Sequence, residues 1–329
     1  MDFVKSLYER VFSVDESSFE ALALDVFRYQ HQNNPVYRDF VNHLGVAIES
    51  VSKMEQIPFL PIEFFKTHTI KTGDWQSDIC YESSGTTGQI TSKHWVADEG
   101  FYLKIAEQIF AKTYGKVKDY TILALLPSYL ERSNSSLVAM ANRFIQISED
   151  SSSGFFLNNA KQLYNTLLQC KKEEKKTILL GVTFGLLDFV DEFQIDFPDL
   201  IVMETGGMKG RREELVREEV HEILKRGFGV KNIHSEYGMT ELLSQGYSQG
   251  NGVFRCGYTM KLLTRDINDP LTVTNQVRNG GINIIDLANV HSCAFIETKD
   301  LGKVYSDGTF EVLGRIDNSD VRGCNLMVG

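Results

Sequence analysis

Between about residues 78 and 245 the chain alternates short apolar runs with stretches of helical periodicity, and this alternation constrains its fold more than any other feature. Residues 121–126 and 177–184 are apolar runs of strand length, residues 200–203 are a shorter one, and residues 231–234 read as a further strand. Between them Phe101, Tyr102, Ile105, Ile109 and Phe110 recur at helical spacing after Asp98. Leu215, Val216, Val220, Ile223 and Leu224 form a second such stripe, ended by Gly227. Residues 161–168 read as a further helix. Apolar strands separated by amphipathic helices predict an α/β region with a mainly parallel sheet, and such sheets present ligands at the C-terminal ends of their strands.

The flanking segments read differently. Ser17 with Glu20 spells a capping box before Phe19, Leu22, Val26 and Phe27. Asn34-Pro35 supplies an N-cap and a first-turn proline before Val36, Tyr37, Phe40, Val41 and Leu44, and Gly45 stops that helix. After Phe254 short Thr/Val-rich runs are separated by Asn279-Gly280-Gly281 and by Asp307-Gly308. Residues 303–305 and 309–313 read as a hairpin about Ser306-Asp307-Gly308. Two regions are predicted: residues 1–255, α/β with a helical N-terminus, and residues 256–329, a smaller β-rich subdomain.

A formal charge of −10 argues against a sequence-independent nucleic-acid surface, which needs Lys and Arg to displace phosphate counterions. The first 19 residues scatter Asp2, Lys5, Glu9, Arg10, Asp15 and Glu16 among apolar ones, unlike a signal peptide. The longest mainly apolar run, residues 178–187, is too short for a bilayer span, so no integral membrane segment is predicted. The 5 cysteines are widely scattered and show neither CxxC nor Cys/His metal spacing, which fits a reduced, cytoplasmic compartment.

Three segments carry candidate chemistry. In Ser83-Ser84-Gly85-Thr86-Thr87-Gly88 two glycines let the backbone approach a phosphate chain, while hydroxyls and amides donate to its oxygens. No Gly-Lys-Ser/Thr follows, so this is not a Walker loop, and a solvated turn would have the same composition. In Tyr237-Gly238-Met239-Thr240-Glu241 a ring can stack on a base, a hydroxyl can meet a phosphate and a carboxylate can hold Mg²⁺; a polar turn beside a core tyrosine is the alternative. Thr298-Lys299-Asp300 and Gly314-Arg315-Ile316-Asp317 offer a carboxylate for ribose hydroxyls and a guanidinium for phosphate, or an ordinary turn and surface pair.

Taken together and in this order, these segments resemble the superfamily of adenylate-forming enzymes, which includes acyl- and aryl-CoA synthetases, adenylation domains and luciferases. Ser83 to Gly88 match its phosphate loop, and Gly206-Gly207 its glycine pair beside the adenine. Residues 237–241 match Tyr-Gly-x-Thr-Glu, residues 298–300 match Thr-Gly-Asp with Lys299 in place of the glycine, and residues 314–323 match the hinge motif. The resemblance runs from about residue 57 to the end. It is closer still to acyl-protein synthetases of the LuxE type, through IPFLPIEFFK at residues 57–66, LPSYLERSNSS at 126–136 and DVRGCNLM at 320–327.

The resemblance implies the large domain of the adenylate-forming fold, with mainly parallel sheets flanked by helices and a small C-terminal β-rich subdomain. The sequence ends six residues beyond Gly323, so it implies that domain without the mobile C-terminal one. It also implies ATP and Mg²⁺ as cofactors and a carboxylic acid, of the fatty-acid class, as substrate. Ser84, Gly85, Thr86, Thr87 and Gly88 would hold the β/γ-phosphates, Thr240 the α-phosphate, Glu241 the Mg²⁺, Tyr237 the adenine and Asp300 the ribose, with Arg315 against ribose or phosphate. Adenylation needs no general base, because a carboxylic acid is already ionised at neutral pH.

Cys324 is the candidate acyl acceptor. At an unperturbed pKa of about 8.5 roughly 3% of a thiol is thiolate at pH 7, a fraction that Arg322 would raise. The LuxE-type resemblance implies transfer of the acyl group to this cysteine and onward to an acceptor protein: a reductase, a transferase or a carrier protein. Two alternatives stay open at this point. One is an acyl-CoA or carrier-protein ligase in which Cys324 is structural, and the other is a nucleotide-binding subunit without catalysis.

Overall fold

The structure, a computed structural model, describes residues 3–76, 79–83, 90–126, 134–157, 159–206, 215–274 and 279–316. In chain order, α1 (Phe3–Ser13), α2 (Phe19–Asn33) and α3 (Pro35–His43) lead into β1 (Leu60–Pro61) and α4 (Phe64–Thr67). Then come β2 (Ile79–Glu82), β3 (Lys93–Val96), α5 (Glu99–Tyr114), β4 (Thr121–Leu125), α6 (Ser136–Ser148), β5 (Gly154–Phe155) and α7 (Ala160–Lys172). They are followed by β6 (Thr177–Val182), α8 (Thr183–Glu192), β7 (Ile201–Thr205), α9 (Arg217–Phe228) and β8 (His234–Tyr237). The remainder is strand: β9 (Gly246–Ser248), β10 (Phe254–Cys256), β11 (Met260–Arg265), β12 (Val273–Thr274), β13 (Asn279–Asp286), β14 (Phe295–Val304) and β15 (Thr309–Arg315). The chain divides into two compact units, residues 75–257 and residues 1–74 with 258–329.

In the unit of residues 75–257 the strand order is β10-β9-β8-β7-β6-β4-β5. Strands β8, β7, β6, β4 and β5 run parallel, as the alternation predicts, and β9 and β10 continue antiparallel. All of β6 is buried, which is why it reads as an unbroken apolar run. Successive side chains face opposite sides of a strand. Glu204 and Ser235 therefore share the face carrying His221 of α9. Glu236 and Tyr247 share the other, where the Tyr247 ring meets Phe110 and Tyr114 of α5.

Three boundaries differ from expectation for tertiary reasons. Strand β8 begins at His234 instead of ending there, because Met203, Glu204 and Thr205 pair with His234, Ser235 and Glu236. Strand β6 stops at Val182 and Thr183 opens α8. Helix α9 runs through Gly227 to Phe228, and Gly229, at φ +66°, terminates it. Gly227 lies inside the helix because a Cβ there would sit 2.5 Å from Val190 Cβ of α8.

In the other unit β12-β11-β13-β14-β15 form an antiparallel sheet, and β1 runs parallel to β14. The hairpin forms as predicted, with Tyr305 N donating to Thr309 O at 2.8 Å and Gly308 at φ +78°. Asn34 caps α3 through Tyr37 N at 3.1 Å, again as predicted. The capping box at Ser17 does not form: Asp15 accepts from both Ser17 and Ser18 hydroxyls, and α2 starts after Ser18 without a side-chain cap. Asn279-Gly280-Gly281 is no turn but the start of β13.

The N-terminal helices are joined to the C-terminal strands by buried contacts. Gln30 Nε2 donates to Asn289 O at 2.7 Å, and Ala294 N donates to Gln30 Oε1 at 2.9 Å. Phe295 of β14 is fully buried among Phe27, Tyr37 and Phe59, with ring centroids 6.0–6.3 Å away. Phe295→Ala is expected to cost about 3–5 kcal/mol, seen as a lower urea midpoint, because so tightly ringed a site cannot collapse on the cavity. Among the described residues no helix is long and apolar enough to cross a membrane.

Candidate active site

Parallel pairing of β6, β7 and β8 brings Thr183, Gly206 and Gly238 to the C-terminal ends of adjacent strands. Tyr237 is the last residue of β8, buried with its ring 6.0 Å from that of Phe254. Thr240 and Glu241 lie in the turn that follows. Thr240 is partly exposed, while Glu241 is only 5% exposed, so its carboxylate is held within the protein and not in bulk water.

The β2–β3 hairpin ties a second candidate segment to this turn. Ser83 follows β2, its amide donates to Ser92 O at 3.1 Å, and Ser92 N donates back to Ser83 Oγ at 2.9 Å. Two residues on, buried His94 donates from Nδ1 to Thr240 O at 2.7 Å. The carbonyl can only accept, so this contact sets the tautomer. Residues 83 and 92 flank the candidate phosphate loop, and 94 reaches the candidate phosphate threonine. Glu82 N also donates to Asn134 O at 2.8 Å, and Ser135 caps α6 through Val138 N.

Beneath the Gly206 turn is a buried polar hub that sequence reading missed. Glu204 accepts from Thr183 Oγ1 at 2.8 Å, His221 Nε2 at 3.1 Å and Ser235 Oγ at 3.1 Å. Thr183 Oγ1 also lies 3.4 Å from Gly206 O, and Gly206 takes φ +75°. Burial opposes charge on Glu204, but donation from His221 and Thr183 and the Arg217 charge more than offset it, leaving its pKa below the ordinary value. On the opposite face Thr205 donates to the buried Glu236 carboxyl, which burial pushes up to about 7.

In the unit of residues 1–74 and 258–329, Asp300 and Arg315 are cross-strand partners, with Arg315 Nε 3.5 Å from Asp300 Oδ1. Between Gly281↔Leu301 and Asn283↔Glu297 the ladder places Thr298, Lys299 and Asp300 opposite Ile282 alone. The motif segment is therefore a bulge in β14, the kind of irregularity that re-aims a side chain. Thr298 Oγ1 donates to Ile282 O at 2.8 Å and accepts from Asp300 N at 3.1 Å. Lys299 pairs with Glu63, just beyond the β1 segment that docks on Ile296 and Glu297. The two distinctive features of this region, the lysine and the proline-rich segment, thus meet each other.

Ser84, Gly85, Thr86, Thr87, Gly88, Gly207, Asp317 and Cys324 lie outside the described residues. Among the described residues no group of three or more His, Cys, Asp or Glu side chains gathers as a metal cage. A single buried carboxylate, Glu241, would fit Mg²⁺ as a charged oxygen donor.

Residues 8–329 match the family described as acyl-protein synthetase, LuxE. The chain belongs to the LuxE family of acyl-protein synthetases. Comparison with curated protein sequences finds no match. Among solved structures, 2-hydroxyisobutyryl-CoA ligase in complex with 2-HIB-AMP and CoA aligns at TM-score 0.66 and 12% identity, covering 95% of this chain and 68% of that one. ATP-bound MatB from Rhodopseudomonas palustris aligns at 0.55 and 14%, covering 72% of this chain and 47% of that one. The long-chain-fatty-acid-CoA ligase FadD1 from Archaeoglobus fulgidus aligns at 0.51 and 15%, covering 72% and 51%. The LuxE-family chain thus spans about half the length of the latter two. Its fold is that of the adenylate-forming enzymes.

Proposed function

We propose that this chain uses ATP to activate a fatty acid and passes the acyl group to its own Cys324. The observation that most supports the first step is the His94–Thr240 hydrogen bond, which ties the hairpin flanking the phosphate loop to the turn bearing Thr240 and Glu241. In that step an oxygen of the acid's carboxylate bonds to the α-phosphorus, the bond to the bridging oxygen breaks, and pyrophosphate leaves. Two anions must be brought together, so positioning and electrostatics supply the rate. Residues 83–88 hold the β/γ-phosphates through amides and hydroxyls, Thr240 donates to the α-phosphate, Tyr237 packs beside the adenine near Gly206-Gly207, and Asp300 accepts the ribose hydroxyls. Glu241 holds Mg²⁺, which offsets phosphate charge when bound. In the second step the Cys324 thiolate attacks the acyl carbon and AMP leaves, giving a thioester for delivery to an acceptor protein.

ATP–pyrophosphate exchange across acids from acetate to tetradecanoate, with aryl acids included, tests the first step. Exchange that depends on added acid is expected, and folded protein inert with every acid in the presence of Mg²⁺ would refute it. Labelled acid with ATP tests the second: wild type becomes stably acylated and Cys324→Ser does not. A labelled serine variant would overturn the choice of acceptor.

A further inference from the structure

Arg265, at the end of β11, belongs to none of the motifs, yet it is 4% exposed and lies against the bulge that carries Asp300. Its Nη2 donates to Thr298 O at 2.6 Å, and its Nη1 donates to Ile282 O at 2.9 Å and Asn283 Oδ1 at 3.0 Å. Its Nε lies 3.5 Å from Glu297 Oε1. These contacts cluster where the β13–β14 ladder is interrupted, so the guanidinium stands in for cross-strand bonds that the bulge removes.

Neighbouring residues make room for it. A Cβ on Gly281 would lie 2.5 Å from Arg265 Cζ, and one on Gly280 would lie 2.4 Å from Arg265 O. The glycine pair is thus explained by close approach to this arginine, not by a turn. Burying a guanidinium carries a desolvation penalty, and an apolar side chain could fill the same space without it. What an apolar residue could not do is hold the Thr298 carbonyl, and with it the Thr298 hydroxyl that receives Asp300 N.

We propose that Arg265 is a positioning residue for Asp300: it holds the β14 bulge in the shape that aims the Asp300 carboxylate at the ribose hydroxyls of the nucleotide. This rests on the reading of Asp300 as the ribose ligand, and the two fail in different ways. The measurement is calorimetric binding of ATP and of 2′,3′-dideoxy-ATP to the full chain, and the quantity is the ratio of the two dissociation constants. A carboxylate accepting two hydroxyls gives wild type a preference for ATP on the order of 10- to 100-fold. Asp300→Ala brings the ratio near one. If it leaves the wild-type ratio intact, the ribose reading falls and the proposal with it.

Arg265→Met is expected to bring the ratio to within about threefold of one while affinity for the dideoxy nucleotide is kept, since the latter makes no use of Asp300. Gly281→Ala, which retains the arginine but crowds its guanidinium, is expected to lower the ratio in the same direction and carries the comparison if the methionine variant does not fold. Arg265→Lys keeps the charge but not the fork, and restores only part of the preference. Variants with a lower melting temperature but the full wild-type ratio would overturn the proposal and leave Arg265 a prop for the sheet.

Discussion

Glu241→Gln is expected to lower acid-dependent ATP–pyrophosphate exchange by about 100- to 1,000-fold, the scale of losing one preorganised electrostatic contact. The glutamine keeps the volume of a side chain that is 5% exposed, so the fold should tolerate it, but it removes the negative charge. Hard cations are held by charged oxygen, and a neutral amide oxygen at the same place binds Mg²⁺ more weakly. The loss should be partly recovered by raising Mg²⁺ at fixed ATP, while the urea midpoint stays near that of wild type. Exchange at the wild-type rate under limiting Mg²⁺ would remove Glu241 from the site. Unfolding of the variant in step with the loss would show a structural carboxylate instead.

Glu236→Gln, five residues away, is expected to act oppositely, raising stability at alkaline pH. Burial pushes the Glu236 carboxyl up to about 7, against the hydrogen bond from Thr205. Its pKa in the unfolded chain is about 4.3, so between these values the folded state holds a proton that the unfolded state has released. Wild type therefore loses stability as pH rises through that window and levels off above about 7. A gap of between two and three units corresponds to about 3 kcal/mol. Glutamine does not titrate and can still accept from Thr205.

The variant should thus exceed wild type by about 3 kcal/mol at pH 8, with the gap closing below about pH 4.5. His234, on the same face of β8, is pushed down to about 4 by burial and stays neutral across most of this range. Urea unfolding at pH 5, 6.5 and 8 reads the trend. A pH-independent difference would show that Glu236 does not titrate between folded and unfolded states.

The segments legible in the sequence are those governed by local rules. Alternation of apolar runs and helical stripes predicts the parallel sheet, because the period of burial follows from the backbone geometry of each element. Asn34-Pro35 predicts the start of α3 and Gly308 the turn between β14 and β15, since both depend on torsions and hydrogen bonds within a few residues. The order of residues 83–88, 206–207, 237–241, 298–300 and 314–323 predicts the superfamily, and residues 57–66, 126–136 and 320–327 predict the LuxE family, whose model matches residues 8–329. Where a rule has competitors, local reading errs. Ser17 fits a capping box, but Asp15 offers its hydroxyl a charged acceptor only two residues away.

What only the tertiary structure decided depends on partners far along the chain. His94 reaches Thr240 across 146 residues, and Gln30 reaches Asn289 across 259, contacts with no periodic trace in either segment. Strand β8 starts three residues later than the strand expected at 231–234 because its polar Ser235 and Glu236 find acceptor and donor on β7. Asn279-Gly280-Gly281 has the composition of a turn, and only the close approach of Arg265, its backbone carbonyl at Gly280 and its guanidinium at Gly281, explains those glycines inside a strand. The sequence by itself determined the elements, the parallel sheet and the family, because backbone period and motif order are local properties. The placement of Asp300 on a bulge, with Arg265 beneath it and Arg315 across from it, came from strand register, which is chosen by the sum of long-range pairings.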